Sequence, residues 1–432
     1  PASKTIPWTS TTMSTDSQPH DSTSKPARSA LGLVVLIVLI DLLGFSLVMP
    51  LLGFFGDRFK LDGWQVGLLF AAFPICQLVA GPILGRLSDR YGRRPVLVFS
   101  QAGTAVSFVI MGLAGDFTTL LLGRMLDGFS GGNILVAQAY IADVTRPEDR
   151  ARGMGMIGMA FGLGFVLGPL IGGLLVGLPV SPEWALSIPF LAAAGFSTLA
   201  LLLVILRLPE SLPRGARPRD KARVASWRGL LDVFRLEGVG TLATLAFLSV
   251  AAWAVLEGTF ALFLERRMGW SSRSASYAFA AAGLVSAIVQ GGMIRPLTKR
   301  YSEIRLVMAG AVLAGIGFAI AASLSGASAV PLAAAIVLAA AGSGLTAPCI
   351  SGLVSRITPA SEQGAVFGTL VSIQTLARIV SYMLGNVLLA RVSPSAPYWL
   401  AAAVYAVVLA LGAAKAGRLA DAVRRSGETA GA

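Results

Sequence analysis

Long apolar runs alternate with short polar turns along the whole chain. The runs fall at 30–54, 64–85, 95–114, 117–142, 153–177 and 185–207, and, after a polar interruption, at 239–264, 276–294, 305–324, 330–355, 364–390 and 397–414. Crossing a bilayer takes about 20 apolar residues, so each run is long enough to span with some tilt. The pattern predicts an all-α integral membrane protein with twelve spanning helices in two bundles of six. Residues 30–207 form the first bundle and 239–414 the second, joined by a linker over 208–238 and followed by a tail over 415–432. Residues 1–29 are rich in Ser, Thr and Pro and have no apolar core of signal-peptide type, so they read as a disordered leader without a cleaved signal. Met13 reads as a start, with residues 1–12 an extension before it.

Charge falls mainly on alternate turns. With the N-terminus placed inside, Arg86, Arg90, Arg93, Arg94, Arg146, Arg150, Arg152, Arg295, Lys299, Arg300, Arg356, Lys415, Arg418, Arg424 and Arg425 lie on the cytoplasmic side. The linker joins them with Arg214, Arg217, Arg219, Lys221, Arg223, Arg228 and Arg235. The other side keeps Arg58, Lys60, Arg266, Arg267, Arg273 and Arg391. This bias predicts that both termini are cytoplasmic. It accounts for the net charge of +13 through loops, without a nucleic-acid partner.

Composition narrows the chemistry. The chain is 55% hydrophobic and 13% charged, with a mean hydropathy of +0.74, which a water-soluble core cannot accommodate. Cys76 and Cys349 both sit in apolar runs, and His20 lies in the leader, so neither a disulfide framework, a cysteine metal site nor a membrane histidine relay is available. Glycine-rich runs lack the Gly-Lys-Ser/Thr ending of a phosphate loop. No nucleotide, cofactor, metal or enzymatic activity is expected; the energy source is an ion gradient or the substrate's own gradient.

The densest motif is the turn Gly85-Arg86-Leu87-Ser88-Asp89-Arg90-Tyr91-Gly92-Arg93-Arg94-Pro95, which packs five charges between two apolar runs. Gly85 and Gly92 permit a tight reversal, and Pro95 suits the first turn of the next helix. This spacing resembles the signature loop after the second helix of the major facilitator superfamily, a fold of two six-helix bundles. The resemblance implies that Asp89, supported by Arg90, Arg93 and Arg94, latches onto a helix N-terminus of the other half when the cytoplasmic side is closed. A worn echo, Pro296-Leu297-Thr298-Lys299-Arg300-Tyr301-Ser302, recurs about half a chain later, as parallel repeats require. Lys299 stands there in place of the aspartate.

Ionisable residues at membrane depth cost at least ~2.5 kcal/mol on insertion scales, so each is a functional candidate. They are Asp41 in the first run, Arg124 and Asp127 in the fourth, Glu257 in the seventh and Arg378 in the eleventh. Arg124 and Asp127 are three apart and can pair on one helical face. The segment around Asp41 resembles the first helix of tetracycline-type efflux proteins, and Arg124, Asp127 and Gly128 resemble the superfamily's fourth-helix motif. The resemblance implies proton coupling through Asp41, Arg124 and Asp127. Glu257, flanked by Trp253 and Phe260, together with Arg378 and Gln290, makes up the expected substrate cavity; Arg378 has three readings, as anion partner, neutraliser of Glu257 or neutraliser of Asp41.

The fifth run, with Gly164, Gly168, Pro169, Gly172 and Gly173, resembles the antiporter motif of drug:proton exporters. Leu208-Pro209-Glu210-Ser211 and Ala139-Tyr140-Ile141-Ala142-Asp143 also resemble the tetracycline-efflux branch, whereas Gln363-Gly364-Ala365-Val366 and Ala377-Arg378 resemble its broader relatives, including eukaryotic ones. Tetracycline exporters carry an acidic residue in the ninth helix, and 305–324 contains none, which counts against tetracycline as cargo. The expectation is a monomeric, proton-coupled exporter of small lipophilic organic molecules, in a bacterial inner membrane or a eukaryotic plasma or organelle membrane. A uniporter or organic-anion exporter without proton coupling, and a non-transporting receptor or scaffold on the same fold, are the alternatives.

Overall fold

The computed structural model describes residues 25–146, 149–212, 238–324, 326, 328–359 and 362–431. The basic linker arginines and lysine from Arg214 to Arg235, and the leader before Lys25, lie outside the described residues. The described chain is helical, with no strand.

Among the described residues, eleven helices are long and apolar enough to cross a membrane. In the first half, spans 1 (Lys25–Val48), 2 (Gly63–Tyr91), 3 (Arg93–Gly112), 5 (Arg150–Val176) and 6 (Ser187–Arg207) are single helices, and span 4 is split into Phe117–Ser130 and Asn133–Val144. The second half holds spans 7 (Val239–Met268), 9 (Glu303–Ser323), 10 (Ala329–Ile357), 11 (Gln363–Arg391) and 12 (Ala396–Gly431). Its span 8 runs as Ser272–Ile288, a π-helical turn Val289–Met293, and Ile294–Arg300. Short helices Phe54–Arg58 and Pro182–Ala185 sit in connections. Twelve crossings result, with span 1 beginning five residues before the apolar run and span 12 continuing through 415–431.

The run over 117–142 reads as one helix, and the structure divides it at Gly131-Gly132. The carbonyls freed by the break are satisfied by neighbours: Ser100 Oγ donates to the Ser130 carbonyl, and Gln77 Nε2 donates to the Gly131 carbonyl at 2.9 Å. Irregular backbone at this depth is tolerable only with such partners. At the start of the helix, Asp116 caps it by accepting from the Thr119 N–H at 2.9 Å, which holds its carboxyl below the usual carboxylate range.

Gly92 turns the chain between spans 2 and 3 at φ 108°, a conformation only glycine adopts readily. The face carrying this turn is here called the motif face, and the opposite one the far face.

Burial is distributed unequally between the two faces. One core joins the halves: toward the far face it links Leu47, Phe55, Phe70 and Phe190 to Phe260, Phe263 and Tyr398, and within the second half it continues to the motif face through Leu245, Leu353 and Leu419. A separate core, with Val34, Ile37, Leu84, Leu97, Tyr140 and Val204, belongs to the first half alone. The glycines repeat this division. A Cβ on Gly67 of span 2 would lie 2.9 Å from Met383 Cα of span 11, and one on Gly173 of span 5 would lie 2.7 Å from Tyr277 Cε1 of span 8. At Gly85, Gly155, Gly291, Gly292 and Gly364, toward the motif face, an added Cβ would meet nothing within 4 Å. The two halves are sealed along spans 2–11 and 5–8 at the far face and parted at the motif face.

Candidate transport site

Two buried charge centres lie at mid-depth, one in each half. In span 4, Arg124 Nη1 pairs with Asp127 Oδ2 at 2.9 Å, and the two side chains are only 2% and 3% exposed. The guanidinium also lies 5.1 Å from the centre of the Phe73 ring and donates from Nε to the Leu69 carbonyl at 3.4 Å. Its Nη2 has no protein partner. A buried guanidinium needs this combination of carboxylate, carbonyl and ring because its charge cannot reach water.

Asp41 of span 1 is buried beside this pair and accepts from Asn133 Nδ2. The break in span 4 places Asn133 at the start of the second helical piece, where its own Oδ1 accepts from the Ile134 N–H at 2.8 Å. Asp41 Oδ1 makes no fully formed hydrogen bond; the buried Gln101 amide of span 3 lies near enough to serve as its donor.

In the second half, Glu257 of span 7 pairs with Arg378 Nη1 of span 11 and accepts from the Tyr382 hydroxyl at 2.8 Å. Arg378 thus pairs with Glu257 and not with Asp41. The pair is asymmetric, since Glu257 is 8% exposed and Arg378 keeps 38% of its side chain exposed. Trp253 is half-buried against the apolar core, and Gln290 is exposed on the π-helical turn of span 8. Neither is joined to the Glu257–Arg378 pair by a hydrogen bond. Tyr382 was not legible as a site residue because it carries no charge; its position one helical turn after Arg378 is the signal that finds it.

On the motif face, Arg93 is the hub. It pairs with Asp89 at 2.6 Å and with Asp143 at 3.0 Å, and donates to Ser88 Oγ at 2.6 Å. Glu210, just after span 6, accepts from the backbone N–H groups of Arg93 and Arg94 at 2.8 and 3.2 Å, capping the N-terminus of span 3. Arg94 Nη2 donates to the Ile205 carbonyl at 2.5 Å, and Arg90 lies over the Tyr91 ring at 5.4 Å. Asp89 therefore pairs within its own loop, with Arg93 at the start of span 3 in the first half.

The span 5 glycines are contact points. Cβ atoms added to Gly164, Gly168 and Gly172 would come within 2.9 Å of span 1 between Leu42 and Leu47, and Ser46 Oγ donates to the Gly164 carbonyl at 2.7 Å. Gly173, on the next face of the helix, meets Tyr277 and Arg273 of span 8. Pro169 lies inside this helix without interrupting it. The motif thus packs span 5 against its own half and against the other half at once.

Comparison with known proteins fixes the family. The model of the Major Facilitator Superfamily matches residues 34–330 and 242–427. The chain belongs to the major facilitator superfamily. Within it, the chain is 33% identical to the class C tetracycline resistance protein of Escherichia coli, over 89% of this chain and 96% of that protein. It is 29% identical to human major facilitator superfamily domain-containing protein 10, over 88% and 89% of the two chains. The crystal structure of that human protein, described as an organic anion transporter, superposes with a TM-score of 0.66 at 26% identity, covering 90% of this chain and 99% of that one. A bacterial homologue of the human lysosomal transporter Spinster shares the fold, with a TM-score of 0.73 at 19% identity and 93% and 98% coverage. The superfamily member described here is accordingly a multi-pass membrane transporter of small molecules and not an enzyme.

Proposed function

We propose that this protein exports small lipophilic organic molecules in exchange for protons, by alternating access between two six-helix halves. The observation that carries the reading is Asp41, a carboxylate buried in the first span with one oxygen held by Asn133 and the other, near the Gln101 amide, in no fully formed hydrogen bond. A carboxylate so placed gains from protonation whenever the path to it is open, and loses the proton when polar groups or solvent reach it. The Arg124–Asp127 pair beside it supplies a second carboxylate whose charge depends on whether the guanidinium stays engaged. The span 5 glycine motif and the tetracycline resistance relatives support export by exchange.

In this reading the motif face, richer in Lys and Arg, is cytoplasmic, and so are both termini. The structure then corresponds to the state that loads cargo from the cytoplasm. The two halves rock about the midplane to expose the cavity on the far side. Asp89 exchanges its partner within the loop for a helix end of the second half when the motif face closes. One chain encloses the whole path and works as a monomer.

The test is substrate-driven proton movement in proteoliposomes, screened with lipophilic cations, tetracyclines and organic anions. Proton release with one chemical class, abolished in Asp41→Asn while the protein remains folded in the membrane, is the expected outcome. Proton-driven efflux that is unchanged in Asp41→Asn overturns it.

A second reading has its own support. Arg378 is the more exposed partner of its pair, and a relative with a 26%-identical structure is described as an organic anion transporter. Under that reading an anion engages Arg378 without proton exchange. Anion flux would survive Asp41→Asn and be lost in the paired replacement Glu257→Gln/Arg378→Gln.

A further inference from the structure

The seal between the halves passes directly beside the second charge centre. Tyr382 is 2% exposed and does two things at once. Its hydroxyl donates to Glu257 within its own half, and its ring packs on Phe70 of span 2, in the other half, with centroids 5.7 Å apart and planes at 52°. Gly258 makes the space for this ring, and Gly67 lets the span 11 backbone approach span 2. A Cβ on Gly258, the residue after Glu257, would lie 2.8 Å from Tyr382 Cδ1, and one on Gly67 would lie 2.9 Å from the Tyr382 carbonyl. The neighbouring residue in span 2, Leu69, accepts from Arg124, and Phe73 lies under the same guanidinium. Leu69, Phe70 and Phe73 thus stand between the Arg124–Asp127 pair on one side and Tyr382 with the Glu257–Arg378 pair on the other.

We infer that Tyr382 is the positioning residue that couples the Glu257–Arg378 pair to the far-face seam: the charged pair fixes the hydroxyl, the fixed hydroxyl orients the ring, and the oriented ring holds span 11 against span 2. Its role in the transport cycle rests on the alternating-access reading above, whereas its effect on the seam does not. Spans 7 and 11 move as one half, so the hydrogen bond survives rocking. What changes is the cost of unseating the ring from Phe70. Loss of the Glu257 acceptor frees the hydroxyl and loosens the seam. A ring serving only as filler would be indifferent to the hydroxyl.

The experiment reads the seam directly, with no ligand present. Spin labels at Lys60→Cys and Val392→Cys, on far-face residues of opposite halves, report their separation by pulsed electron resonance in nanodiscs, in a background lacking Cys76 and Cys349. Glu257→Leu, which removes the acceptor, and Tyr382→Phe, which removes the donor, are each expected to raise the ratio of long to short distances roughly tenfold, the size of one hydrogen bond to a charged group. The double variant is expected to go no further than the larger single effect, since both changes remove the same link. A wild-type distribution in Tyr382→Phe, or two effects that add, overturns the inference. Phe70→Leu removes the seat from the other half and tests the same link independently of Tyr382 folding: it is expected to leave Glu257→Leu without further effect, and a Glu257→Leu response of wild-type size in that background counts against the link. Proton flux in the same preparations separates the two readings. Flux lost in Asp41→Asn with an additive seam response sinks the Tyr382 link alone, and a non-additive seam response without any proton flux sinks the antiport reading alone.

Discussion

A guanidinium and a carboxylate buried one helical turn apart stabilise each other only as a pair. Arg124 and Asp127 meet at 2.9 Å with almost no solvent, so removing one member strands the other's charge. Breaking a buried pair costs about 3–5 kcal/mol, whereas replacing both members by apolar groups of similar volume is often neutral or stabilising. Arg124→Leu is therefore expected to lower the thermal unfolding midpoint in detergent sharply, and Arg124→Leu/Asp127→Leu to recover most of the loss. Transport separates a structural pair from a working one: the double variant is expected to stay inactive in proton-coupled flux despite its recovered stability. Recovery of flux together with stability would reduce the pair to a structural role. At this scale the sequence exposes charges well, because an ionisable side chain inside an apolar run is conspicuous. It hides the neutral groups that complete each centre. Asn133, Gln77 and Tyr382 look like ordinary polar residues until the break in span 4 and the approach of span 11 bring them to Asp41, the Gly131 carbonyl and Glu257.

Helices pack in this protein largely through glycine, and the effect of filling a glycine depends on what it faces. Gly168 sits against backbone: an added Cβ would lie 2.9 Å from Leu47 N and 3.0 Å from Leu43 O, neither of which can rotate away. Gly162, two turns earlier in the same helix, would bring its Cβ only to 3.7 Å from Ala287 Cβ, an ordinary contact. Alanine in a helix interior is favoured over glycine by roughly 0.5–1 kcal/mol, while overpacking costs about 1–3 kcal/mol. Gly162→Ala is expected to hold or raise the unfolding midpoint and Gly168→Ala to lower it. Equal midpoints would mean that span 1 yields without cost, contrary to the tight contact. The same contrast explains what element-scale reading of the sequence achieves. Among the described residues eleven crossings are continuous enough to qualify as spanning helices, and all twelve follow from apolar length alone. The split of span 4 and the π-helical turn of span 8 do not, because Gly131-Gly132 and Gly291-Gly292 are indistinguishable in sequence from the many glycines that merely let helices touch.

Whether the far face is a gate or a fixed joint is decided by whether it must open. The joint is continuous: one apolar core crosses between the halves there, glycines on spans 2 and 5 admit the partner helices, and Asp57 reaches Arg266 across the halves at 3.4 Å. The exposed ion pair adds little, because surface pairs are worth about 0–1 kcal/mol, so apolar contact and the spans 2–11 and 5–8 seams hold the face shut. A rigid joint would suit a receptor or scaffold. A transporter working by alternating access must part the same contacts in every cycle. Gly63 offers a direct test, since a Cβ there would lie 2.6 Å from Ala390 Cβ and 2.5 Å from the Asn386 carbonyl of span 11. The Cβ atoms of a disulfide stand about 3.5–4.5 Å apart, so a link here needs the seam to open by about 1 Å. In a background without Cys76 and Cys349, Gly63→Cys/Ala390→Cys is expected to form that link on mild oxidation, to lose transport once linked, and to regain it on reduction. Failure of the link to form would mean that the seam does not yield by that distance. Transport that continues through a linked seam would show that cargo leaves without the far face opening along spans 2 and 11, and the rocking of two rigid halves would have to give way to a local exit.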